Sequence, residues 1–179
     1  MDVQKVIESL QNEMSQVKDE RKNKLSMVIF SGDLDKLLAS FIIATGALAM
    51  GMEVVMFFTF WATPSLRDKK KKGKGKDLFG KMFGFMLPKG ADKVTLSKMH
   101  MGGMGTGMMK HLMKKKNVAS LEELRAMAIE MEAKIYICDM SMNLMGFKQE
   151  EMIDYPGREF VGVAKFLEEA GDSKIQLFI

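Results

Sequence analysis

LSMVIFSGDLDKLLASFIIATGALAMGMEVVMFFTFW, Leu25 to Trp61, decides how this chain is built. Its first eight residues, LSMVIFSG, form a short apolar run of the kind buried on both faces of a sheet. Gly32 and Asp33 interrupt the run, and Asp33 is placed to cap a helix that continues to about Met50. Gly51 is placed to end that helix. EVVMFFTFW, Glu53 to Trp61, is β-branched and aromatic and reads as a second strand, with Pro64 marking the loop beyond it. A strand, a crossover helix and a strand make a parallel pair. The same stretch holds the longest apolar run, Phe41 to Phe58, which is close to a membrane-spanning length. Gly51 and Glu53 break it, and its character changes from helical to β-branched, so a core helix followed by a buried strand is expected.

The same alternation returns towards the C-terminus. Ser120 with Glu123 three residues on is a capping box, and LEELRAMAIEME is the helix it starts. AKIYICDMS is a third strand, FKQEEMI a short helix, Arg158 to about Ala170 a further helix ended by Gly171, and KIQLFI a last strand. The expected architecture is one α/β domain over 25–179, a three-layer sandwich on a mainly parallel sheet of about five strands. Residues 1–24 stand apart as an amphipathic helix whose seam is Val3, Ile7, Leu10, Met14 and Val17. That seam suits packing on its own domain or against another copy.

Between the halves, about 65–116, no periodicity is sustained. The segment holds the lysine run KKKKGKGK (Lys69 to Lys76), the apolar DLFGKMFGFMLP, a short strand or turn near Val94 to Leu96, and MHMGGMGTGMMKHLMKKK. Short helices are expected at Leu78 to Met86 and Met108 to Lys114. An insertion of this length is usually a functional lid or a mobile segment.

Composition narrows the function. The 179 residues are 47% hydrophobic and 28% charged, in the range of globular proteins. The net charge of +4 is concentrated in the lysine run, which has no interleaved aromatics, so a solvated, poorly ordered loop is expected and no nucleic-acid partner. One cysteine excludes an internal disulfide, and with no signal peptide read at the charged N-terminus it suits a reducing, cytoplasmic setting. There are 20 methionines. Those near His100, Met101, Met104, Met108 and His111 would suit Cu(I), but an adaptable apolar lid needs fewer assumptions, so neither metal nor cofactor is expected. The chain has no CxxC and no Ser/His/Asp set, so no hydrolase or oxidoreductase constellation is read.

The single thiol, Cys138, falls at the end of the third strand, in IYICDMSMNLMG. Ligands of parallel α/β sheets bind beyond the C-terminal strand ends. The tails SGD (Ser31 to Asp33), TFW (Thr59 to Trp61) and CDMS (Cys138 to Ser141) are expected to converge there. Cys138 is then a buried inert residue or a nucleophile helped by the amides, Ser141 and Asn143 of the following turn. Gly32 and Asp33 serve as turn and cap, or line the pocket with Thr59 and Trp61. His100 or His111 becomes a base if the lid folds over the thiol.

FSGDLDKLLASFIIATGALAMGMEVVMFFTFW, the Met/Gly-rich insertion, ICDMSMNLMGF and GVAKFLEEAGDSKIQLFI together resemble the DsrE/DsrF/DrsH-like family, in its DsrE2-type branch. The resemblance covers about Leu25 to Ile179. It implies a small parallel α/β protein, usually oligomeric, and a homo-oligomer is expected, a trimer or a multiple of one. It also implies a sulfur carrier or sulfurtransferase, with a persulfide or thiosulfonate on the cysteine that matches Cys138 and a TusA-type carrier as acceptor. The alternative is a non-enzymatic interaction or membrane-peripheral protein that docks through the Met-rich surface, with Cys138 structural.

Overall fold

The computed structural model describes residues 3–19 and 21–179, with the side chains of 15–19 left undescribed, so the Val17 side chain and residues 1, 2 and 20 of the expected first helix lie outside it, while Lys22 to Lys24 of that expected helix instead open a strand. Helix α1, Val3–Asp19, is followed by β1, Lys22–Ile29, and by the crossover helix α2, Leu34–Ala49, and β2, Glu53–Phe58. The parallel register Leu25 to Val54 through Ile29 to Phe58 confirms the strand–helix–strand reading. Gly51 takes φ +73° just past α2, a conformation that side chains disfavour, and so ends the helix.

The insertion is more structured than its sequence suggests. The expected second strand stops at Phe58, and Phe60–Leu66 is a 3-10 segment leading into the insertion, which itself forms α3 (Leu78–Met86), a 3-10 turn (Met101–Gly103) and α4 (Met104–Lys115). α4 begins earlier than the methionine pattern indicates, and no strand forms at Val94 to Leu96. Half of the lysine run is pinned. Lys69 pairs with Asp92 and Glu122, Lys71 with Asp154, and Lys76 with buried Glu151. The expected solvated loop therefore holds only for the remaining lysines, because Asp92, Glu122, Glu151 and Asp154, all distant in sequence, meet the other three.

Then come α5 (Leu121–Glu130), with the capping box of Ser120 and Glu123, β3 (Lys134–Cys138), α6 (Asp139–Leu144), β4 (Arg158–Val161), α7 (Val163–Gly171) and β5 (Ser173–Phe178). The expected helix from Arg158 to Ala170 is thus a strand and a shorter helix. FKQEEMI forms only a 3-10 turn, Gln149–Glu151. The sheet order is β4-β3-β2-β1-β5, every pair parallel.

Three layers result. One face of the sheet carries Met27, Ile29, Val54, Met56, Ile135 and Ile137 into the main core, with Leu37 and Phe41 of α2 and Leu124 and Ala128 of α5. The alternate residues Val55, Phe57, Tyr136 and Cys138 face Phe166 and Ala170 of α7. The α1 seam residues Val3, Ile7, Leu10 and Met14 are exposed, so among the described residues the seam is not buried against the domain. Among the described residues no helix is long and apolar enough to cross a membrane.

Candidate functional site

Cys138 ends β3 because the sheet ends there. It pairs with Val161 of edge strand β4, and the chain turns at once into α6, with Cys138 as its N-cap at φ −67° and ψ 111°. Alternation puts its side chain on the α7 face, two residues beyond Tyr136. Phe57 and Phe166 stack across this space with ring centroids 5.2 Å apart. The thiol is free and 3% exposed. It is at the strand end, as the topology rule requires, but beneath a cover of apolar side chains.

The rim is built by contacts between strand exits. Buried Ser141 of α6 lies 2.8 Å from Thr59 Oγ1 through its Oγ, which also accepts the Phe60 N–H at 3.0 Å. These bonds tie α6 to the exit of β2, so the hydroxyls of Thr59 and Ser141 hold each other. Phe60 stands at φ +44°, a sparsely populated conformation for an aromatic residue. Its ring continues a row through Phe30 (5.3 Å) to Phe178 on β5, which lies 5.8 Å from Phe30. No local sequence pattern announces the positive φ of Phe60.

Gly32 is required by a close approach. A Cβ there would lie 2.1 Å from the Trp61 carbonyl oxygen. The Trp61 side chain is half exposed. Asp33 stands in the N-cap position of α2 without a capping bond; its carboxylate accepts the Ser31 hydroxyl at 2.8 Å and lies 3.4 Å from Lys36. The first amide of α2, Leu34, donates to Thr95 of the insertion at 2.8 Å. Ser97 donates its N–H and hydroxyl to Asp35, holding that carboxyl below its usual range against the opposing effect of burial. The insertion therefore occupies the N-terminus of α2, at the same sheet edge as Cys138.

The remaining candidates are dispersed. Asn143 is exposed on α6. His100 Nδ1 lies 3.0 Å from Thr106 Oγ1, and His111 is exposed on α4. No hydrogen bond joins either imidazole to Cys138 among the described residues.

A polar network underlies the same α7 face. Tyr136 donates to Glu169 at 2.9 Å, and Lys24, only 1% exposed, reaches Glu169 at 2.9 Å and also Asp172. Burial, and then the Glu169 carboxylate, push the Tyr136 hydroxyl far above the usual phenol range. Burial alone would raise Glu169, but the Lys24 ammonium and Tyr136 hydroxyl outweigh it and hold the carboxyl low. This network fixes α7, and with it the cover over the thiol.

Comparison with known proteins agrees with this architecture. The DsrE/DsrF/DrsH-like family pattern matches residues 21–178. The chain is 43% identical over 160 residues to the uncharacterized protein YrkE of Bacillus subtilis, covering 89% of this chain and 99% of that protein. It is 41% identical over 162 residues to the sulfur carrier protein DsrE2 of Allochromatium vinosum, covering 88% and 99%. A five-stranded parallel sheet whose one cysteine closes β3, matched along nearly its whole length, belongs to the DsrE/DsrF/DrsH-like family, in its DsrE2-type branch.

Proposed function

We propose that this protein is a sulfur carrier that holds sulfur on Cys138, as a persulfide or a thiosulfonate, and passes it to a partner carrier. The observation that supports this best is the position of the sole thiol at the C-terminal end of β3, in a chain 41% identical to a sulfur carrier protein. The chemistry needs little else. A thiolate attacks the inner sulfur of tetrathionate, forming one S–S bond and expelling thiosulfate, or takes a sulfane sulfur from a polysulfide. With no second cysteine to resolve the adduct, the sulfur leaves only to another molecule's thiol. A TusA-type carrier in a reducing cytoplasm fits that role. The reading includes a homo-oligomer, a trimer or multiple, with the exposed α1 seam as a contact.

Burial of the thiol favours a second reading, in which Cys138 is structural and the exposed methionines form a docking surface. Intact-mass spectrometry separates the two. Native protein treated with polysulfide should gain ~32 Da, and with tetrathionate ~112 Da, the adducts expected on a reactive cysteine. Both should be absent in Cys138→Ser and should transfer to an acceptor thiol. Modification only after denaturation would overturn the carrier reading.

A further inference from the structure

Helix α3, LFGKMFGFM, is inside out. At about 100° per residue, Leu78, Phe79, Met82, Phe85 and Met86 share one arc about 120° wide, and Gly80 and Gly84 lie opposite its centre. A globular helix turns its large apolar residues to the core. Here the glycines face inward: a Cβ on Gly80 would lie 3.1 Å from Gly146 Cα, and the Gly84 carbonyl accepts Arg67 Nη1 and Nη2 at 3.3 Å. The large side chains face out. Leu78 is 78% exposed, Phe79 64%, Met82 44%, Phe85 92% and Met86 69%. Missing core volume does not account for this, because the inward face is filled by backbone and by the Arg67 side chain.

Charge identifies what meets this face. Lys70, Lys72 and Lys74 precede the helix, and Lys81 flanks the apolar arc on the helix itself. All four are exposed, and no ion pair holds any of them among the described residues, whereas Lys69, Lys71 and Lys76 are each held by an acid. In sequence between Lys69 and Lys89 the only acid is Asp77, and its carboxylate is engaged as the N-cap of α3, accepting the Gly80 N–H at 2.8 Å. A face of aromatic and thioether groups edged by free ammonium groups matches a layered surface of acyl chains under anionic headgroups. At nine residues the helix is far too short to span a bilayer but long enough to lie in its interface. Its glycine face keeps it seated while the apolar face enters the lipid.

We infer that α3 and the unpaired lysines around it form a peripheral docking site for an anionic lipid bilayer. This does not depend on the chemistry of Cys138. The test is co-sedimentation of the full chain with vesicles of phosphatidylglycerol and phosphatidylcholine in equal parts, against vesicles of phosphatidylcholine alone. Binding is expected on the anionic vesicles only, and is expected to be lost at about 1 M salt, where charges are screened beyond ~3 Å. Phe79→Ser with Phe85→Ser should weaken it by about tenfold or more, and so should Lys70→Gln with Lys72→Gln and Lys74→Gln. These side chains are exposed, so thermal unfolding should not change. Failure to pellet with anionic vesicles, or equal binding by the double phenylalanine variant, would overturn the inference. So would a change in oligomeric mass on Phe85→Ser, which would make the face a protein contact.

Discussion

Arg67 and Glu151, 84 positions apart in sequence, form a buried ion pair with Nη2 3.2 Å from Oε2. Lys76 approaches the other carboxylate oxygen at 2.5 Å, and the ring of Phe147 lies 4.6 Å from the Arg67 guanidinium carbon and 5.2 Å from Lys76 Nζ. One carboxylate thus fastens both ends of the segment from Arg67 to Lys76 onto the residues that follow α6.

Removing that carboxylate leaves two buried cations without a counterion. Glu151→Ala should cost about 3 kcal/mol of stability in urea titration, the usual cost of breaking a buried pair from one side. Proteolysis between Lys69 and Lys89 should accelerate in the same variant. An unchanged midpoint would show that Glu151 is dispensable.

Acid should act on several carboxylates together. Burial works against ionisation of Glu151, but Lys76, the Lys148 amide and Arg67 outweigh it and hold the carboxyl low; Glu169 and Asp35 are also lowered. Asp172 is held at about 2 by its hydrogen bonds to Lys22 and Lys24. A lowered carboxyl contributes stability that is present above the unfolded value and disappears as pH falls through the folded one. Thermal midpoints should stay level near neutrality and drop from about pH 4 towards pH 2. Lys24 is raised, with burial opposing and its two acids prevailing, so its contribution is present below about pH 10.4 and lost above its folded value. Asp172→Asn should flatten the acid limb, and an identical limb in the variant would refute the assignment.

The cover over Cys138 can be thinned. Phe166→Leu removes the ring that stacks on Phe57 and should cost about 1 kcal/mol, as a near volume-conserving core change does. Iodoacetamide labelling of native Cys138 should become faster than in the parent. Equal rates in both would mean that reagents reach the sulfur by another side.

Ser141→Ala deprives the Phe60 amide and the Thr59 hydroxyl of their shared partner. A loss of about 1–3 kcal/mol is expected from the buried groups left unpaired. If Ser141 only fastens α6 to the exit of β2, the tetrathionate adduct should still form in this variant. Loss of the adduct with stability intact would instead make Ser141 a ligand of the bound sulfur group.

The central βαβ unit and the place of Cys138 were legible because long apolar runs and glycine stops are local signals. β4 was not. Arg158–Val161 is four residues on an edge, too short for alternation to emerge, and its true markers are Gly157 and Gly162 on either side. The buried role of Lys24 was equally hidden, since its partners Glu169 and Asp172 lie at the far end of the chain. The lysine run has even composition, and only tertiary contacts separate its held lysines from its free ones. The Thr59–Ser141 pair is partly legible: both residues lie at strand exits that the topology rule brings together, although the rule does not say that they bond to each other.

The strand order has a consequence for how the chain is made. β1 lies inside the sheet between β2 and β5, and the Ser26–Ser173 hydroxyl contact between β1 and β5 joins residues 147 apart. During synthesis β1 gains one neighbour early and waits for the other until the stretch from Ser173 emerges from the ribosome. Until then Leu25 to Val28 present an open, mostly apolar edge to any other nascent chain. A product stalled before Ser173 would fold three of its pairings in register and still carry that edge, which makes premature termination, more than any point substitution, the event expected to drive this protein into aggregates.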